Sequence, residues 1–189
     1  MKIKKMLMVF AILNVLVLGA CGNKTESNRT NSSSNKRSKK NDELRNYKNL
    51  KIGDKVSVNY AKEYDGKYAF DFTLNKVEFT DQSLGGEEPV YEGGFIIADV
   101  TITNTGKDNL SLDIFDNVKY GPAIFSYGAD YGLDGLKESQ KLAVGETTEG
   151  KIVAVFSRSG NTLTRGLEGT STVFSYDIKA DEIGDYVPE

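Results

Sequence analysis

Apolar and polar positions alternate along most of the chain beyond residue 50. Tyr68, Phe70, Phe72 and Leu74 stand at every second position with small or polar residues between them, the period of a half-buried strand. Val77 and Phe79 carry the alternation on at the opposite parity, which predicts a β-bulge or bend near Asn75-Lys76. Phe95 to Thr103 predicts a second strong strand, with Ile96, Ala98, Val100 and Ile102 on one face. Asn104-Thr105-Gly106-Lys107 reads as a turn, after which Leu110, Leu112 and Ile114 resume the alternation. Ile152 to Phe156 is apolar at both parities, as in a central strand covered on both sides. Phe174, Tyr176 and Ile178 align in a last strand.

Outside the N-terminus, no window carries an apolar stripe of helical period. Short strands separated by Gly, Asn and Asp turns predict an all-β domain over residues 50–189. A two-sheet sandwich of immunoglobulin-like type is expected rather than an α/β fold. The length suffices for one domain with its own core.

The N-terminus follows another pattern. Lys2, Lys4 and Lys5 precede an apolar run from Met6 to Leu18 that only Asn14 interrupts, and the small residues Gly19 and Ala20 lead to Cys21. This is the layout of a secretory signal over residues 1–20. The run is shorter than the roughly 20 apolar residues that a lasting membrane span needs. Leu18-Gly19-Ala20-Cys21 resembles the lipobox of bacterial lipoproteins. That resemblance implies a diacylglycerol on the Cys21 thiol, cleavage just before it, and a place at the outer face of the cell membrane. Two acyl chains hold a protein stably, because each buried methylene contributes about 0.8 kcal/mol.

Residues 21–49 read as a lipidated cysteine followed by a disordered tether. Asn, Ser, Thr, Lys and Arg dominate, and Leu44 and Tyr47 are its only sizeable apolar residues, too few to offset the entropy of ordering. A flexible coil of this length would hold the domain roughly 30 Å from its anchor. From Gly22 to Asn49 eight basic residues face three acidic ones, a net of +5, whereas 13 basic and 24 acidic residues beyond Asn49 give −11. The tether's cations suit an anionic lipid surface that repels the acidic domain, or they serve only as a solvated linker. The domain's negative charge argues against nucleic acid as a partner.

Three stretches carry a second resemblance. They are Gly53-Asp54, the run from Phe95 through Ile96-Ile97-Ala98-Asp99-Val100-Thr101-Ile102-Thr103-Asn104-Thr105 to Gly106, and the run from Leu142-Ala143-Val144-Gly145-Glu146 through Ile152 to Phe156. Together they resemble the DUF4352 domain, common in lipoproteins of Gram-positive bacteria. Over roughly residues 51–179 the resemblance implies an immunoglobulin-like fold, and it assigns no catalytic residue. The sequence departs from the pattern at Asp81–Gly94, which reads as an inserted loop, and at Tyr120–Leu136.

Composition narrows the chemistry. The chain has no His and a single Cys, at position 21, so histidine-based nucleophile pairs, imidazole acid–base catalysis and Cys/His metal sites are excluded from the domain. Gly145-Glu146-Thr147-Thr148-Glu149-Gly150-Lys151 matches the first seven positions of a phosphate-binding loop. Ile152 then stands where Ser or Thr should hold magnesium, a strand follows where a helix should open, and two glutamates would repel phosphate. Ser33-Ser34-Asn35-Lys36 matches an acylase pattern but lies in the tether, where no oxyanion site forms. Asp130 and Asp134, with Gly132 and Gly135, miss the spacing of a calcium loop and read as turn residues.

The expectation is therefore a lipid-anchored, non-catalytic binding or accessory module without cofactor or metal. It is expected as a monomer that touches the membrane through Cys21 and engages an extracellular protein or envelope polymer. Two alternatives stand beside it: an immunity-type lipoprotein that sequesters a toxin or phage factor, and a hydrolase using carboxylates alone. Tyr120, Tyr127 and Tyr131, in a segment mixing Tyr, Gly, Ser and Asp, are the expected ligand contacts. The plainer reading of the same segment is a structural crossover plugged into the core.

Overall fold

The phase shift at Asn75 organises the larger sheet. In the computed structural model, which describes residues 44–62, 66–90 and 93–188, the strands run in this order. First come β1 (Asn46–Leu50), β2 (Lys55–Lys62), β3 (Gly66–Thr80), β4 (Gly94–Asn104) and β5 (Leu110–Ser111). Next are β6 (Lys119–Tyr120), β7 (Ala123–Ile124), β8 (Ser126–Tyr127) and β9 (Lys141–Leu142). Last are β10 (Thr147–Phe156), β11 (Asn161–Arg165), β12 (Val173–Ile178) and β13 (Gly184–Asp185). Leu74 pairs with Val100 and Lys76 with Asp99, so Asn75 is the extra residue of a bulge. Its amide donates to Thr101 Oγ1 at 2.8 Å. The bulge moves the buried set from Phe70, Phe72 and Leu74 to Val77, as the change of parity predicts.

Two sheets face each other. One has the order β1-β12-β11-β6-β7, the other β13-β3-β4-β10-β8 with β2 also on β3, and β5 pairs separately with β9. The inner face of β4 presents Ile96, Ala98, Val100 and Ile102, all fully buried, opposite Leu163, Phe174 and Tyr176 of the other sheet. Phe72 stacks on Phe174 with ring centroids 5.0 Å apart, and Phe174 meets Tyr176 edge-on at 5.9 Å. The fold is an all-β, immunoglobulin-like two-sheet sandwich.

Three expectations are corrected. The tether does not run to Asn49: Asn46–Leu50 forms β1, parallel to β12, with Tyr47 opposite Phe174 and both Tyr47 and Leu50 packed on the core. A polar segment can order when a long strand edge elsewhere in the chain accepts it, which composition does not reveal. Leu110, Leu112 and Ile114 do not make one strand, because the chain leaves β5 at Ser111 and closes into a 3-10 helix over Leu112–Asn117. Val173–Ile178 is not the last strand: beyond it, Gly184–Asp185 pairs parallel with Glu78 and Phe79 of β3. The expected signal peptide, the expected lipidation at Cys21 and the expected tether as far as Glu43 lie outside the described residues.

Candidate binding groove

The outer face of the larger sheet changes character along its length. Across β4 and β10, Thr103 stands opposite Thr147, Thr101 opposite Glu149, Asp99 opposite Lys151, Ile97 opposite Val153 and Phe95 opposite Val155. Thr103 and Thr147 share a 2.8 Å hydrogen bond, and Lys151 pairs with Asp99. That end is self-satisfied in water. The other end is apolar and requires cover. Leu84, Tyr131, Leu133 and Tyr186 supply it, forming a second, smaller cluster with Phe95, Ile97 and Val153.

Both loops that break the strand pattern contribute to this cover. In the first, Leu84 and Glu87 exchange backbone hydrogen bonds of 2.9 and 3.0 Å around Gly85 and Gly86, whose φ angles of 61° and 88° suit glycine. In the second, Gly128–Tyr131 forms a single 3-10 turn. The two touch: a β carbon on Gly85 would stand 2.3 Å from the Tyr131 carbonyl oxygen. Within the expected inserted loop, Leu84–Glu87 is thus a built turn with Leu84 buried.

Between the loops lies a groove of about 270 Å³. Its floor is Phe95 and Val155, one side carries Glu87, Glu88 and Val90, and the other carries Ser126, Asp130 and Tyr131. The Tyr131 ring sits edge-on against Phe95 at 5.5 Å. Val90 and Val155 are 57% and 39% exposed, and the three carboxylates all face solvent. No basic side chain among the described residues lines the groove. Among the described residues no acidic group of three or more is arranged to hold a metal ion. The groove therefore offers apolar contact beside negative charge, without coordination geometry.

The three expected contact residues separate here. Tyr131 lines the groove. Tyr120 is fully buried, donates its hydroxyl to the Ser159 carbonyl at 2.6 Å, and packs edge-on against Phe156 at 5.6 Å. Burial pushes its phenol up to about 12. Tyr127 is only 7% exposed and donates to the Leu112 carbonyl at 2.7 Å. Neither can be a surface contact, which corrects the expectation: each ring fills core while its hydroxyl meets a backbone carbonyl. Glu87, Glu88, Val90 and Val155 were not singled out individually by sequence, and Asp130 was read only as a turn residue. Val155 carried one signal, a large apolar residue on the outer parity of β10.

Other candidates dissolve on inspection. A second hollow of about 300 Å³ is lined by Lys119, Thr164, Arg165 and Thr170, among others, but Arg165 is buried with its guanidinium 5.2 Å from the Phe70 ring centroid. The phosphate-loop match is no loop: Gly145 and Glu146 end a turn in which the Glu146 carboxylate accepts from the Ala143 amide at 2.7 Å, and Thr147 to Lys151 already belong to strand β10.

No family profile and no curated protein sequence matches the chain, so the likeness to DUF4352 is one of sequence pattern only. Three solved structures are similar. The secreted protein MPT63 of Mycobacterium tuberculosis superposes with a TM-score of 0.51 at 10% identity, covering 68% of this chain and 95% of that one. An uncharacterised β-sandwich protein of Clostridium difficile 630 gives a TM-score of 0.43 at 14% identity, covering 70% and 95%. The Bacillus subtilis protein ycdA, described as a lipoprotein, gives 0.38 at 22%, covering 57% of this chain and 36% of that one. The last two lie too low to bear on the assignment. What the comparisons establish is fold: the chain is a β-sandwich similar in architecture to secreted MPT63.

Proposed function

We propose that this protein is an exported, lipid-anchored, non-catalytic binding module whose contact surface is the groove between Glu87–Val90 and Ser126–Tyr131. The observation that carries this reading is the meeting of two pattern-breaking loops over one apolar sheet end, with Val90 and Val155 still exposed between them. Loops fixed on a rigid sandwich are where binding residues concentrate. Export and anchoring are supported by the lysines, apolar run and Cys21 of the N-terminus. The lack of histidine supports a non-catalytic role.

The test is partner recovery after chemical crosslinking on intact cells. Val90→Asp should abolish recovery of a specific partner while the unfolding midpoint stays unchanged, because the side chain is exposed. Full recovery with that variant would place the interface elsewhere.

A further inference from the structure

Resting on that reading, we infer that the groove receives a lysine or arginine flanked by apolar residues, presented by a partner polypeptide. The first support is charge. Glu87, Glu88 and Asp130 stand around the groove with no cation among the described residues that line it, on a domain carrying a net −11 beyond Asn49. A cationic side chain entering there meets opposite charge on both walls, and the wider field steers it in. Tyr131, half-buried in the lining, adds an aromatic ring beside the entering guanidinium or ammonium.

The second support is apolar surface. Val90 and Val155 leave more than a third of their surface in water, and Phe95 closes the floor. A hydrated envelope polymer has little apolar surface to place against them, and an anionic one is repelled by the domain. The aliphatic stem of lysine or arginine, with an apolar neighbour, covers this surface while its head reaches the carboxylates. Size agrees. At about 270 Å³ the groove lies just below the usual range of small-molecule pockets, roughly 300–1,000 Å³, and suits one or two side chains of a docked chain.

The experiment uses the full mature chain with Cys21→Ser, which needs no detergent, and blocked hexapeptides as probes. An alternating leucine–lysine peptide should bind. A serine–lysine peptide should bind about tenfold more weakly, and a leucine–glutamate peptide not at all. The triple variant Glu87→Gln, Glu88→Gln, Asp130→Asn should lose about tenfold in affinity for the leucine–lysine probe. The distal triple Asp108→Asn, Glu138→Gln, Asp181→Asn removes the same charge elsewhere and should change affinity less than about twofold. Equal losses in the two triples, equal binding of the serine–lysine probe, or no leucine–lysine binding would each overturn the inference. So would tighter probe binding once the lysines and arginines of residues 22–43 are changed to glutamine, since the chain's own segment would then be the occupant. Probe failure with partner recovery still sensitive to Val90→Asp removes the cationic assignment and leaves the binding module. Loss of both removes the module reading too.

Discussion

Gly85 and Tyr131, 46 positions apart in the chain, lie so close that a β carbon on Gly85 would stand 2.3 Å from the Tyr131 carbonyl oxygen. This contact locks the two walls of the groove together. Gly86, its neighbour, has open space at the same point and a φ of 88°. Gly86→Ala therefore bears only the backbone strain of positive φ, about 1 kcal/mol. Gly85→Ala bears that strain plus a backbone clash and should cost about 2–4 kcal/mol, with loss of partner recovery. Chemical unfolding of the two variants makes the comparison; equal costs would show that the loops do not interlock.

The buried tyrosines predict an alkaline limit to stability. Burial raises the phenols of Tyr120, to about 12, and of Tyr176, further still, above the ordinary value of 10.0. Below pH 10 both states hold these protons. As pH rises past 10 the unfolded chain releases them first, so stability should fall by up to about 1.4 kcal/mol per pH unit for each tyrosine. For Tyr120 the fall should end near pH 12, where the folded protein also ionises. Tyr120→Phe should remove its share of the slope, at about 1–2 kcal/mol of stability at neutral pH from the stranded Ser159 carbonyl. Denaturant titrations across this range measure it; a slope unchanged by the substitution would mean that Tyr120 is not shielded.

Strand β1 predicts where a stable fragment begins. A fragment starting at Leu44 keeps Asn46–Leu50 on β12, whereas one starting at Lys51 loses Tyr47 and Leu50 from the core edge. The shorter fragment should be about 2–4 kcal/mol less stable in urea. Identical midpoints would return residues 46–50 to the tether.

Cys21→Ala should abolish incorporation of a fatty-acid probe in growing cells and leave the chain uncleaved or released. The expectation comes from Leu18-Gly19-Ala20-Cys21 at the end of the apolar run. Equal labelling of parent and variant would remove the lipid anchor from the account.

Much of the sandwich was legible in sequence, because strand alternation is a local signal. Phe70 to Phe79 displayed both the strand and its bulge, and Ile96 to Ile102 displayed the inner face of β4. The parallel pairings of β1 and β13 were not, since what orders them is an edge more than 90 residues away for β13 on β3 and more than 120 for β1 on β12. The tyrosines show the same limit from another side. Tyr suits both a core and a contact loop, and whether a carbonyl such as Ser159 or Leu112 waits for its hydroxyl is a property of the fold. The groove needed the fold as well, because its walls are separate in sequence and are brought together by the fold over Phe95 and Val155.

The most direct test of the groove as the contact surface is a photo-crosslinking residue placed singly at Val90 and at Leu167 and activated on intact cells. Leu167 is the more exposed of the two, at 67% against 57%, and does not line the groove. The account predicts a discrete crosslinked partner from Val90 and none from Leu167. The same adduct from Leu167, with none from Val90, would contradict it.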